Sequence, residues 1–128
     1  MKINQFEQLD CWKAAREMMQ MVFTTVSSQQ LRNEFELKGR FIRAGLSVMN
    51  NIAEGFGRFH RKDFIRFLNV SLASANELRS MTYVLLDQQF ITAAQQSNLV
   101  ESIVKTQNLT GGLIRYLKSS DKAEHMNT

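Results

Sequence analysis

Cationic side chains are concentrated in one part of this chain, where they could contact phosphate groups. Between residues 38 and 66, seven cations stand against two carboxylates, which gives this segment a net charge of +5 in a chain whose formal charge is +4. The cations are Lys38, Arg40, Arg43, Arg58, Arg61, Lys62 and Arg66. Clustered positive charge is typical of surfaces that bind nucleic acids. We therefore predict that these residues, together with His60, contact nucleic acid.

The densest basic stretch, which we call the basic turn, is Arg58-Phe59-His60-Arg61-Lys62. It follows Gly57, where the pattern predicts a break between two helices. Its cations suit phosphate contacts, and its aromatic ring suits base stacking. The competing interpretation is a solvated turn whose surface ion pairs contribute well under ~1 kcal/mol each. The sequence of one chain slightly favours the solvated turn. An oligomer would favour the nucleic-acid-binding turn, because several copies multiply the phosphate contacts.

The helix that precedes the basic turn separates into two chemically opposite faces at about 100° per residue. The apolar face contains Phe41, Gly45, Val48, Met49, Ile52 and Phe56, and the polar stripe contains Arg43, Ser47, Asn50, Asn51, Glu54 and Arg58. Glu54 precedes Arg58 by four residues, so we predict an ion pair between them. We interpret Ser47, Asn50, Asn51 and Glu54 as residues that satisfy neighbouring polar groups, because structure explains them better than catalysis does.

Small residues are frequent in this helix, and they include Gly45 and Gly55. An interior Gly costs a helix roughly 1 kcal/mol relative to Ala. We therefore expect these glycines to let the backbone of another helix come close.

The next helix, predicted over residues 61–87, carries two apolar stripes. Its seam contains Phe64, Leu68, Ser71, Ala75, Leu78, Thr82 and Leu85, spaced alternately by four and three as in coiled coils. Its second stripe contains Phe67, Val70, Ser74, Met81 and Val84, and it makes the apolar arc wider than a lone bundle needs. We predict that the second stripe, with Glu77, forms an interface between subunits. Glu77 is interpreted as a buried carboxylate that meets an arginine of this or another subunit.

Composition indicates an all-α fold, because the chain has no proline and almost no strand signals. Helices are predicted over about residues 4–26, 37–56, 61–87 and 92–118, with Asn4 capping the first and a Thr92-Ala93-Ala94-Gln95 capping box opening the fourth. A chain of 128 residues that is 44% hydrophobic suits one domain. We predict an antiparallel up-down four-helix bundle over residues 1–118, followed by a disordered polar tail over residues 119–128.

Several kinds of chemistry have no motif in the sequence. It contains no Walker loop, dinucleotide fingerprint, His-Glu-x-x-His zinc motif or di-iron Glu-x-x-His spacing. Two histidines and one cysteine argue against a zinc site, and Cys11 is interpreted as a small hydrophobic residue. A nuclease centre of Glu54, His60 and Asp63 would rest on sequence proximity alone. We expect no catalytic residue, no metal and no cofactor.

The chain has no apolar stretch long enough for a signal peptide or for a membrane span of ~20 residues. We therefore expect a cytoplasmic protein that is not inserted in a membrane.

An ordered set of motifs resembles the four helix bundle protein family, the 23S ribosomal RNA intervening-sequence proteins. The motifs are Phe6, Leu9 and Trp12 in the opening helix, Arg-Ala-x-x-Ser-x-x-x-Asn-Ile-Ala-Glu-Gly from Arg43, Phe-Leu followed by Ser-x-x-Glu-Leu ending at Leu78, and an apolar closing helix. The chain departs from the usual pattern in having Met49-Asn50 where Pro-Ser or Pro-Ala is common. The resemblance implies a homopentameric ring of bundles. Related proteins are accessory proteins of diversity-generating retroelements, which engage a reverse transcriptase and nucleic acid.

The leading hypothesis is a non-enzymatic, oligomeric helical scaffold that binds structured RNA or DNA through the basic turn, as an accessory to a protein partner such as a reverse transcriptase. The alternative is a protein-only assembly module in which the basic turn merely confers solubility. A third and weaker interpretation places the basic face on an anionic membrane surface.

Overall fold

Four α-helices contain most of the chain in the computed structural model, which describes residues 2–126, with side chains as far as residue 120. They are α1 (Asp10–Val26), α2 (Phe35–Phe56), α3 (Arg61–Asp87) and α4 (Ala93–Met126). Short 3-10 turns at Phe6–Gln8 and Gln29–Leu31 precede α1 and α2. No strand occurs within residues 2–126. The prediction of an all-α fold with four helices is confirmed.

Each helix packs chiefly against two others, because α1 and α3 both contact α2 and α4. The four helices thus enclose a single apolar core. Its largest fully buried side chains include Met18, Val22, Phe41, Val48, Ile52, Leu68, Leu78, Leu85, Leu99 and Ile103. The predicted seam of α3 faces this core from Leu68 to Leu85, and Phe64 is half-buried at its start.

The N-terminal segment differs from the helix that we predicted to begin near Asn4. Leu9 is extended (φ −71°, ψ 128°), so the 3-10 turn ends there and α1 begins at Asp10. The Gln8 side-chain oxygen accepts hydrogen bonds from the backbone N–H groups of Asn4 (2.7 Å) and Gln5 (3.1 Å). Asn4 is therefore not the cap of α1, because α1 begins only after the extended Leu9.

The α4 helix opens with the predicted capping box. The Thr92 hydroxyl accepts from the Gln95 N–H at 3.1 Å, and the Gln95 side-chain oxygen accepts from the Thr92 N–H at 2.8 Å. The helix extends to Met126 instead of ending near Lys118, because no Gly or Pro interrupts residues 119–126. The disorder predicted for residues 119–128 falls largely on positions whose side chains lie outside the described residues, and it stays a prediction.

The single cysteine is a core residue. Cys11 is 2% exposed, and burial raises the pKa of its thiol to about 11. Because the thiolate is the reactive form, a thiol with this pKa is a weak nucleophile at neutral pH. The interpretation of Cys11 as a small hydrophobic residue fits this environment.

Two glycines allow α2 to lie close to its neighbours. A Cβ atom at Gly55 would lie 2.7 Å from the Phe67 Cβ and 3.0 Å from the Phe64 Cδ1 on α3. A Cβ atom at Gly45 would lie 2.6 Å from the Met19 sulfur on α1. The Met19 thioether can move aside, whereas the Phe67 Cβ is fixed to the α3 backbone. Gly55 is therefore the position where α2 most depends on having no side chain.

We expect Gly55→Ala to lower the free energy of unfolding by about 1–2 kcal/mol, because overpacking outweighs the gain in helix propensity. Gly57→Ala is the matched control, since its added Cβ would meet only the Glu54 carbonyl at 3.5 Å. Urea denaturation followed by circular dichroism measures both changes. Equal stability of the two variants would contradict the close packing of α2 on α3.

Candidate nucleic-acid interface

The basic turn lies where α2 ends and α3 begins. The backbone N–H groups of Gly57 and Arg58 donate to the carbonyls of Glu54 and Gly55, and His60 precedes α3 in an extended conformation (φ −99°, ψ 138°). Phe59 is 96% exposed, and its ring meets the His60 ring edge-on at a centroid distance of 5.2 Å. The turn thus places an aromatic ring in solvent among cationic residues.

Two arginines of this region share one aromatic neighbour. The guanidinium carbons of Arg58 and Arg66 lie 4.6 Å and 4.7 Å from the centre of the Phe67 ring. Such cation–π contacts are worth about 0.5–1 kcal/mol at exposed sites. Phe67 therefore holds two guanidinium groups next to the basic turn, a role that the sequence analysis did not assign to it.

Both arginines also form ion pairs with the two carboxylates of the segment. Arg58 lies 3.1 Å from Glu54, which confirms the predicted pair, and Arg66 lies 3.7 Å from Asp63. All four side chains are substantially exposed, so each pair is weak and screened by salt. Lys62 is exposed beside them. Phosphate oxygens can therefore compete with these carboxylates for the arginines.

Two of the remaining predicted cations, Arg40 and Arg43, form a second cluster near the start of α2, which we call the distal cluster. The Lys38 ammonium instead donates to the Arg32 carbonyl oxygen at 3.2 Å and lies 5.0 Å from the centre of the Phe35 ring. Arg43 and Arg58 are separated by 15 positions, which is roughly 22 Å along a helix axis. The sequence analysis treated the cations of residues 38–66 as one group. In the structure they lie in two regions, because the length of α2 separates them.

Within the distal cluster, Arg40 and Arg43 line a groove of about 150 Å³ together with Ser47 and Glu77. Glu77 is exposed in the single chain, so its carboxylate is not buried within this bundle, and burial at a subunit interface stays a prediction. Its position on the outward side of α3 leaves it open to solvent. Pairing of Glu77 with an arginine of another subunit stays a prediction.

The polar stripe of α2 is bonded to α3. The Ser47 and Ser74 hydroxyls share a hydrogen bond at 2.6 Å, and Asn51 Nδ2 donates to the Ser47 carbonyl oxygen at 2.7 Å. The buried Ser71 hydroxyl donates to the Val48 carbonyl oxygen at 2.8 Å. These bonds fit the structural interpretation of Ser47 and Asn51. Asn50 is exposed.

The second stripe of α3 divides into covered and exposed residues. Phe67 packs under two arginines, Ser74 bonds to α2, and Met81 packs against the core. Val70 and Val84 are 42% and 47% exposed. Tyr83, which the sequence analysis did not select, is 49% exposed. The apolar periodicity of α3 did not single out Tyr83, because its position lies outside both apolar stripes.

No group of three or more metal-ligating side chains comes together among the residues that the structure describes. Glu54 and Asp63, the carboxylates of the conceivable nuclease centre, are each paired with an arginine. None of the helices in the described part of the chain combines the length and apolar character needed to cross a membrane.

The family model of the 23S rRNA-intervening sequence protein matches residues 7–112, which include the basic turn, the distal cluster and the second stripe. The chain belongs to this family. Among curated proteins, none matches this family member.

A similar solved structure is the crystal structure of a protein of unknown function from the S23 ribosomal protein family of Bacteroides thetaiotaomicron. It aligns with a TM-score of 0.74 at 23% sequence identity, over 81% of this intervening-sequence family member and 97% of that chain. At this identity the likeness shows the common fold.

We expect Ser47 and Ser74 to be energetically coupled. Ser74→Ala should lower the free energy of unfolding by about 1 kcal/mol, and the double-mutant cycle with Ser47→Ala should give a coupling energy of about 0.5–1.5 kcal/mol. Ser80→Ala, at an exposed serine of the same helix, is the control and should change stability by less than about 0.5 kcal/mol. A coupling energy near zero would show that this hydrogen bond does not hold α2 to α3.

Proposed function

We propose that this protein is a non-enzymatic, oligomeric helical scaffold that binds structured RNA or DNA through its basic turn. The observation that carries the proposal is the exposure of Phe59, which is 96% accessible and lies between Arg58 and His60. Burial of apolar surface is favourable, and an aromatic ring in water lacks this stabilisation. A nucleic-acid base stacked on the ring would bury it. Base stacking on an aromatic ring is worth about 1–3 kcal/mol.

The surrounding charges suit the phosphates on either side of a stacked base. Arg58 and Arg66 are held against Phe67, while Lys62 is exposed beside the turn. Because Glu54 and Asp63 pair with these arginines at the surface, an incoming phosphate exchanges one weak ion pair for another. The gain then comes largely from the release of counterions from the nucleic acid. The distal cluster is proposed as a second phosphate-binding patch of the same ligand.

An antiparallel up-down bundle is part of the proposal. It is supported by contacts between successive helices, in which a higher residue number on one helix accompanies a lower number on the next. The contacting residues are Ser47 with Ser74, Gly55 with Phe67, Thr82 with Gln96, and Asn76 with Gln107. This arrangement puts the α2–α3 and α1–α2 connections at opposite ends of the bundle.

We also propose that copies of this chain associate through the exposed part of the second stripe. Val70 and Val84, with Tyr83 beside them, place apolar surface on the outward side of α3. Resemblance to the four helix bundle proteins specifies the assembly as a homopentameric ring. Five basic turns on one ring would bind a single nucleic acid with an avidity that no single copy reaches.

The name of the family makes ribosomal RNA the first ligand to test. A protein partner such as a reverse transcriptase, and a cytoplasmic location, remain parts of the proposal that rest on the family resemblance and the sequence. The alternative, a protein-only assembly module, is favoured by the exposed Val70 and Val84 and needs no nucleic acid.

Replacement of Arg58, Arg61 and Lys62 by Glu should abolish nucleic-acid binding without changing the solution mass. Binding to a labelled RNA hairpin, a single-stranded DNA and a duplex DNA is measured by fluorescence anisotropy across a salt series. For the unchanged protein, the slope of log K against log salt should be about −0.9 per phosphate contacted on the duplex. The matched control reverses Lys13, Arg16 and Lys105, which are exposed cations on α1 and α4.

The control alters the net charge by the same amount, so an equal loss in both variants would indicate attraction to overall charge and would contradict a site at the basic turn. Phe59→Ala separates stacking from charge: it should weaken binding about 5- to 100-fold and leave the salt slope unchanged. Negligible binding by the unchanged protein near physiological salt would favour the protein-only module.

Val70→Glu with Val84→Glu should convert the oligomer to a monomer, because both charges would be buried in the subunit interface. The two side chains are half-exposed in the single chain, so the variant should stay folded. Sedimentation equilibrium measures the mass, and Tyr116→Glu is the control at an exposed position on α4. An unchanged mass in the double variant would move the interface away from the second stripe.

A further inference from the structure

A cavity of about 660 Å³ opens between the end of α1, the end of α3 and the start of α4. Ligand pockets in proteins typically have volumes of about 300–1,000 Å³, so this cavity could hold most of a small organic molecule. It lies far from the basic turn. Arg61 of the basic turn begins α3, and Leu86 of the cavity wall lies near its end. These residues are 25 positions apart, which corresponds to roughly 37 Å along the helix. The cavity is therefore separate from the proposed nucleic-acid site.

The cavity wall combines an apolar floor with uncharged polar groups. Met21, Phe90 and Leu99 contribute apolar surface, and Gln30 and Asn98 contribute exposed amide side chains. Among the described residues that line the cavity, none carries a formal charge. Burial of an unpaired charge is costly, so such a wall disfavours anions and cations alike. It suits a neutral ring that carries hydrogen-bonding groups.

The connection from α3 to α4 fixes part of this wall. Gln89 has a positive φ of 63°, and the N–H of Phe90 donates to the Leu85 carbonyl oxygen at 2.9 Å. This left-handed residue with its returning hydrogen bond terminates α3 as a helix cap. Ile91 is buried immediately afterwards. The cap therefore defines the shape of the floor before any ligand arrives.

We propose that this cavity binds an uncharged small organic molecule, which places a ring on the apolar floor and hydrogen-bonding groups against the exposed amides of Gln30 and Asn98. The uncharged wall, its exposed amides and the volume together define this ligand class. Neither the family nor the proposed nucleic-acid function assigns a ligand to this end of the bundle.

Three probes of one shape test the proposal: 2-naphthamide is neutral, 2-naphthoate is anionic and naphthalene-2-carboxamidine is cationic. Each is titrated into ¹⁵N-labelled full-length protein and followed by ¹H–¹⁵N correlation spectra. The neutral probe should shift the amide signals of Thr25, Ile91 and Leu99, and it should bind at least tenfold more tightly than either charged probe. Equal binding of all three probes, or shifts confined to other residues, would overturn the proposal.

Two variants locate the binding. Asn98→Trp fills the mouth of the cavity and should abolish the shifts, whereas Asn108→Trp places the same ring at an exposed position further along α4 and should leave them intact. Failure of all three probes to bind would overturn the proposal. Cavity signals that then change with protein concentration would indicate that a subunit contact fills the cavity instead.

Discussion

The close approach of α2 and α3 at Gly55 is the constraint on which the candidate interface depends. Because Gly55 has no Cβ, the backbone of α2 can lie against Phe64 and Phe67 of α3. That contact places the Phe67 ring within reach of Arg58, and it sets the register in which Ser47 meets Ser74. A wider separation would remove the support under Arg58. Packing between two helices thus orders charges that lie on the surface.

A polar surface and an apolar surface meet on the outward side of α2 and α3. Periodicity in the sequence predicted each of them on its own helix and did not show that they adjoin. The polar stripe of α2 and the second stripe of α3 adjoin each other, joined by the hydrogen bond between Ser47 and Ser74. Part of the apolar stripe is consequently used inside the chain, which leaves Val70 and Val84 as its exposed members. A subunit interface here would be small and rimmed by polar groups, so charge pairing through Glu77 would contribute to its specificity.

The sequence predicted the features that depend on local periodicity and capping. The bounds of α3 and the Thr92 capping box follow from residues that lie within a few positions of one another. The features that it missed depend on a local change of backbone direction or on distance in space. The extended Leu9 delays the start of α1 to Asp10, and the division of the cations between two regions reflects the length of α2. The exposure of Glu77 could not be read from its apolar neighbours, because their spacing does not reveal which side a partner helix covers.

Exposed ion pairs give the two arginines beside Phe67 a property that free cations would lack. Arg58 and Arg66 are each held by a carboxylate and by the Phe67 ring, so their guanidinium groups are positioned before a ligand arrives. Side chains that are already ordered lose less conformational entropy on binding. The carboxylates also reduce the attraction of one turn for any polyanion, because each neutralises a cation at short range. In the proposed oligomer, positioned groups with a modest attraction per copy would favour ligands that engage several copies at once, since avidity multiplies contacts that are individually modest.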